Sequence, residues 1–151
     1  MFYGEEVNKG LKCKYCGKAT VLADSSIIYN GTSYGYVYLC SECNAYVGCH
    51  KGTKEAQGSV ANAELRKLRH LAHEWFDSIW KNKLKKSRYN AYSWLSLRME
   101  LNKNITHMGL FDETQCKKVI DISSDYIKRR NIVLWDELNK RLGKWGNSLT
   151  P

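Results

Sequence analysis

Residues 34–53 read YGYVYLCSECNAYVGCHKGT and hold three cysteines, one histidine and four tyrosines. Within them, Cys40-Ser-Glu-Cys43-Asn44 is the second of two matching pairs, the first being Cys13-Lys-Tyr-Cys16-Gly17. Two residues between cysteines let a tight turn aim both sulfurs at one ion. The residue after the second cysteine often takes a positive φ, which Gly17 and Asn44 both tolerate. With 23 residues between the pairs, the spacing describes a four-cysteine zinc ribbon with Cys13, Cys16, Cys40 and Cys43 as ligands. Four thiolates form a soft tetrahedral donor set that suits Zn2+. A CxxC redox motif explains only one of the two pairs. Four cysteines also close the shell, where hydrolytic zinc keeps a position open for water, so the expected role of the metal is structural. Cys49-His50, six residues past Cys43, is an alternative ligand source. Cys49 breaks the paired spacing, however, which favours a buried Cys49 and a surface His50.

Outward from this stretch, SSIIYNGTSYGYVYL reads as a β-hairpin. Ile27, Ile28 and Tyr29 precede an Asn30-Gly31 turn, and Tyr34, Tyr36 and Tyr38 alternate along the return strand. Residues 51–59 are polar with two glycines and read as a loop. The pattern then turns helical. Leu65, Leu68, Ala72, Trp75 or Phe76, and Ile79 share one face, with Arg66, Lys67, Arg69 and His70 largely elsewhere and Ser59 or Asn62 as the cap. A second helix is expected to start after Ser87 and run through Tyr92, Leu95 and Met99, with Trp94 beside that stripe. A third begins at Asp112, whose spacing to Gln115 is that of a capping box. Cys116, Val119, Ile120 and Ser123 share its face. Ile127, Leu134, Leu138 and Leu142 continue the period, and the expectation is two helices broken near Ser123-Ser124-Asp125. The predicted class is α+β: a zinc-ribbon hairpin module over residues 1–58, packed against or followed by three to four helices over residues 59–151.

The chain has 151 residues and a net charge of +9, with 43% hydrophobic and 12% aromatic residues. That composition suits a folded core and argues against general disorder. No basic start leads into an apolar run and no long apolar stretch occurs, so neither a signal peptide nor a membrane span is expected, and the expected compartment is the cytoplasm. Six cysteines there are thiols or metal ligands rather than disulfides. The charge is uneven: residues 61–104 carry ten Lys and Arg against four Asp and Glu. Such a balance favours an anionic partner, either nucleic acid or an acidic protein face. Catalytic alternatives fail on their own requirements. Zinc-stapled HNH nucleases need a histidine base near the second knuckle, and no histidine lies between Cys16 and Cys40. HLAHEW at residues 70–75 lacks the i, i+4 histidines of HExxH, and GCHKGT is too short for a P-loop. No enzymatic activity is expected.

Together, CKYCG at residues 13–17, Tyr34-Gly35, the run from Cys40 through AYVGCHKGT, ANAELRKLR at residues 61–69 and HMGLFDETQC at residues 107–116 resemble a phage and prophage family described as a zinc-finger-containing domain. The resemblance covers about residues 10–123 and leaves residues 124–151 beyond its pattern. It implies the fold, the zinc and a mobile-element origin, and implies no activity. Its signatures also allow a second cluster of Cys49, His50, His107 and Cys116. Against that, Cys116 lies on an apolar stripe and is most simply a buried small hydrophobe. Two functions follow as expectations. In the first, an accessory protein binds a host protein, such as a CRISPR-type defence nuclease that it keeps from loading nucleic acid, using Tyr34, Tyr36, Tyr38 and Tyr46. In the second, the Arg66, Lys67 and Arg69 face binds DNA or RNA directly.

Overall fold

In a computed structural model, which describes residues 1–143, the chain divides into two compact units, Met1–Arg66 and a second that begins at Lys67. Elements are α1 (Glu5–Asn8), β1 (Val21–Asp24), β2 (Tyr36–Cys40), β3 (Ala45–Gly48), α2 (Ala63–Lys81), α3 (Arg88–Met99), α4 (Glu113–Arg130) and α5 (Ile132–Leu142). The α+β class holds: a three-stranded antiparallel sheet carries the clustered cysteines and is followed by four long helices.

In the first unit the strand order is β1-β2-β3, with Val21 opposite Leu39, Asp24 opposite Tyr36, Tyr38 opposite Val47 and Cys40 opposite Ala45. The hairpin therefore differs from expectation: its first arm is Val21–Asp24, and residues 27–29 are not a strand. Side chains close the loop earlier. Ser25 donates its N–H to the Gly35 carbonyl and its Oγ accepts from Tyr34 N–H at 2.6 Å. The Asp24 carboxylate accepts from Ser26 N–H at 2.9 Å and from Ser33 Oγ–H at 2.7 Å. Such local bonds outcompete a strand ladder and fold residues 25–27 into a 3-10 turn. Asn30 and Gly31 do take positive φ, 52° and 90°, but inside the loop that follows. Strand β3 has no counterpart in the expected hairpin. Cys13, Cys40, Ala45, Val47 and Val60 form the buried core, with Tyr15, Tyr38 and Ala56 against it. An apolar core this small is marginal without a staple.

In the helical region, the Asn62 side chain caps α2 by accepting from Leu65 N–H at 3.0 Å. Leu65, Leu68, Ala72, Trp75, Phe76 and Ile79 are buried along the helix at the expected period. Ser87 caps α3, and Asp112 with Gln115 makes a full capping box on α4. Phe76 meets Tyr92 edge-on at 4.6 Å, and Trp94 packs on Tyr126 at the same distance. The last stretch is two helices, as expected, but the break falls at Asn131 rather than at residues 123–125. Ser123 and Ser124 are fully buried inside α4, where Ser124 Oγ accepts from the Trp135 indole at 2.9 Å. Asn131 leaves helical geometry at φ −153°, and its side chain caps α5 through Leu134 N–H. The end of the expected 59–151 region, residues 144–151, lies outside the described residues.

Candidate metal centre

Each CxxC sits in a turn that pairing around it holds in place. An isolated bridge between Lys12 and Ala19 flanks the first. The amide of Gly17, at φ 75°, donates to the Cys13 carbonyl at 2.8 Å. The second is itself the connection from β2 to β3: Cys40 ends one strand, Ala45 opens the next, and Asn44 at φ 50° supplies the left-handed corner. All four sulfurs, of Cys13, Cys16, Cys40 and Cys43, lie within 4.8 Å of one another. They form the one set of three or more candidate ligand atoms among the described residues. Cys16 Sγ and Cys40 Sγ are 3.7 Å apart. A disulfide needs about 2 Å, whereas the edge of a tetrahedron with Zn–S bonds of about 2.3 Å is about 3.8 Å. Spacing and donor type both fit zinc.

The local field suits thiolate ligands unevenly. The Lys18 amide pulls the Cys16 thiol below its ordinary range. Burial pushes Cys13 up, although the amides of Cys16 and Tyr15 work against this. Cys43 is pushed up to about 12 by burial and then by the neighbouring thiols. Four thiols this close cannot all ionise unaided, and a bound dication reverses that balance. Lys18 Nζ bridges to the Glu42 carboxylate at 2.9 Å, tying the knuckles across their exposed side.

The other expected site residues scatter. Cys49 is half-buried at a bridge with Ala56, and His50 is exposed in the following turn. His107 is exposed and caps its own 3-10 turn by accepting from Gly109 N–H. Cys116 is fully buried on α4. Arg66 donates to the Ala61 carbonyl at 2.6 Å and stacks over Tyr46 at 3.8 Å. Lys67 is exposed, and Arg69 donates from Nε to the Phe111 carbonyl at 3.0 Å. Register separates the tyrosines: Tyr36 and Tyr38 share one sheet face, where Tyr38 donates to the Lys54 carbonyl and Lys54 lies over Tyr36. Tyr34 instead joins a ladder with Tyr29 and Tyr46. Ring centroids are 5.2 Å apart from Tyr34 to Tyr29 and 6.4 Å from Tyr29 to Tyr46, both edge-on. The sequence pattern reads Tyr29 as a strand residue, whereas it lies in the loop after the 3-10 turn. The only signal for it was the serine-rich loop start, which marks side-chain capping.

No curated protein and no solved structure matches the chain. A family model described as a zinc-finger-containing domain matches residues 9–126, a span that takes in both knuckles, the sheet, α2, α3 and most of α4. With its four-sulfur cage in place, the chain belongs to this zinc-finger-containing family and binds zinc through Cys13, Cys16, Cys40 and Cys43.

Proposed function

We propose that the chain is a non-enzymatic, zinc-stapled accessory protein that acts by binding a host protein, in the manner of an anti-CRISPR-type inhibitor that keeps a defence nuclease from loading its nucleic acid. The observation that carries the binding role is the Tyr34–Tyr29–Tyr46 ladder braced by Arg66. Tyr34 is 74% exposed and Tyr29 42% exposed, so rigid aromatic edges are offered to a partner. Tyr and Arg are the residues in which binding energy concentrates. A shell filled by four thiolates leaves no position for substrate, which supports a role without catalysis. The mobile-element origin implied by the sequence resemblance makes a defence nuclease the partner of choice. Direct phosphate contact through Arg66, Lys67 and Arg69 is the weaker reading, since two of the three side chains are spent on internal carbonyls.

Gel filtration of the zinc-loaded chain with the host nuclease tests the reading, together with a filter assay of target loading. A stable complex and reduced loading are expected. The double variant Tyr29→Ala/Tyr34→Ala is expected to weaken the complex by roughly tenfold or more at unchanged zinc content. Absence of a complex, or indifference to the double variant, sinks the proposal.

A further inference from the structure

In the helical unit one group of cations lies on aromatic rings rather than on carboxylates. Tyr89 of α3 has Lys103, from the turn after the helix, 3.2 Å from its ring centroid, and Arg88 lies 4.8 Å from that of Tyr92. Trp94 receives two cations, Lys85 at 5.2 Å and Arg98 at 5.8 Å. Tyr126 of α4, packed on Trp94, brings Arg130 at 3.7 Å and shares Lys85 at 5.1 Å. One aromatic pair thus gathers Lys85, Arg98 and Arg130. The negative faces of the rings offset part of the repulsion among them.

Carboxylates are missing where they are most expected. Residues 78–99 hold six Lys and Arg and no Asp or Glu. Among the described residues none of Lys85, Arg98 and Arg130 has an ion-pair partner. The ion pairs of this unit lie on other residues: Arg129 with Asp125, Lys140 with Asp136, Arg141 with Glu74, and Asp77 with His73 and Lys81. A solvated basic face interleaves both signs, and this one does not. Arg98 and Arg130 are exposed, so their guanidinium donors stand over the aromatic pair without a protein acceptor among the described residues. Guanidinium forks match phosphate oxygens, and aromatic rings set among cations are surfaces on which bases stack.

We infer that the helical unit binds single-stranded nucleic acid, with Lys85, Arg98 and Arg130 on successive phosphates and the half-buried Trp94 as the stacking surface. This site goes beyond the protein-binding role: it uses other residues in the other unit. Forked cations suit carboxylates and phosphates alike, and nucleic acid is favoured over an acidic protein face because aromatic rings recur beside them along α3, a stacking surface that bases use and carboxylates do not.

Fluorescence anisotropy of the zinc-loaded full chain with a labelled oligothymidine of about 20 nucleotides, titrated with salt, tests the inference. Binding is expected to weaken linearly in log salt. The triple variant Lys85→Gln/Arg98→Gln/Arg130→Gln should bind at least roughly tenfold more weakly and flatten the slope by about two units, since each single-strand phosphate contact contributes about 0.7. A control removing the same charge elsewhere, Lys9→Gln/Lys51→Gln/Lys118→Gln, should leave the slope within about half a unit. Trp94→Leu, checked for folding by circular dichroism, should lower affinity at an unchanged slope. Equal losses in the two triple variants would reduce the effect to bulk charge and overturn the site. An unchanged slope in the first triple variant would overturn it too. Displacement of the oligonucleotide by polyglutamate as readily as by unlabelled oligothymidine would overturn the ligand class.

Discussion

Gly10 and Gly17 hold the same backbone angle, φ 75°, in different surroundings. A Cβ on Gly17 would meet the Phe2 ring at 2.7 Å, and that ring is exposed on one side, so it can swing aside. A Cβ on Gly10 would meet Ala56 Cβ at 3.0 Å, Val47 Cγ1 at 3.1 Å and the Gly58 carbonyl at 3.3 Å, which are parts of the packed sheet. Gly17→Ala is therefore expected to cost about 1–2 kcal/mol, mostly backbone strain. Gly10→Ala should cost more, about 2–4 kcal/mol. Thermal melts of the zinc-loaded proteins check the order, and equal costs would contradict the packing argument. Asp77 gives a pH test. Burial raises its carboxyl, but hydrogen bonds from His73 at 2.9 Å and from the Trp80 indole at 2.9 Å outweigh this and hold it below its ordinary 3.8. A depressed carboxyl stabilises the fold above its unfolded value and loses that contribution as pH falls through the folded one. Asp77→Asn should thus cost roughly 1–2 kcal/mol at neutral pH, with the gap to wild type closing below about pH 4. A gap that stays constant from pH 7 to pH 3 would contradict this. The zinc ligands were readable from the sequence because a knuckle is a local object of five residues. Tyr29 and the Lys85, Arg98 and Arg130 group were not, since each depends on contacts between distant segments.

Among the elements, helix starts were the most legible parts, because a cap is a short-range hydrogen bond that the residue types themselves declare. Asn62, Ser87 and the Asp112–Gln115 box all take the expected roles. The end of α4 was hidden. The run Ser123-Ser124-Asp125 suggests a stop, yet Ser123 and Ser124 are small side chains inside the helix, with Trp135 of α5 donating to the second. Periodicity continues through the true break, so only the Asn131 cap marks it. Asn131→Ala should cost about 1 kcal/mol by leaving Leu134 N–H without its acceptor. Asn131→Ser should recover most of the loss in urea melts, and a full loss with both residues would argue against a capping role. The β1–β2 connection hid for a similar reason. Asn-Gly behaved as its dihedral preferences demand, but Asp24 and Ser25 had already closed the hairpin ahead of it.

At the scale of the whole molecule, the two units draw stability from different sources. The first has a small apolar core centred on two of its own metal ligands, Cys13 and Cys40, while the second buries Trp75, Phe76, Phe111, Leu95, Ile120 and Ile127 almost completely. Removal of zinc by a chelator, or Cys40→Ser, is expected to abolish amide protection in β2 and β3 while α3 to α5 keep theirs. Hydrogen exchange read by mass spectrometry checks this, and intact strand protection without metal would refute the stapled-core account. The charge asymmetry was visible in the sequence from the start, but its true focus was not. Counting placed it on residues 61–104, and only the packing of α3 on α4 shows where three of the cations converge. Because the second knuckle is also the corner between β2 and β3, the order of assembly follows from the covalent layout. A hairpin whose corner closes on Cys40 and Cys43 is expected to keep its register only once they share an ion, which would tie output of folded protein in a cell to metal supply. Newly made chains under zinc starvation would accumulate as finished helices trailing an open, cysteine-bearing arm, the form that oxidants and proteases reach first.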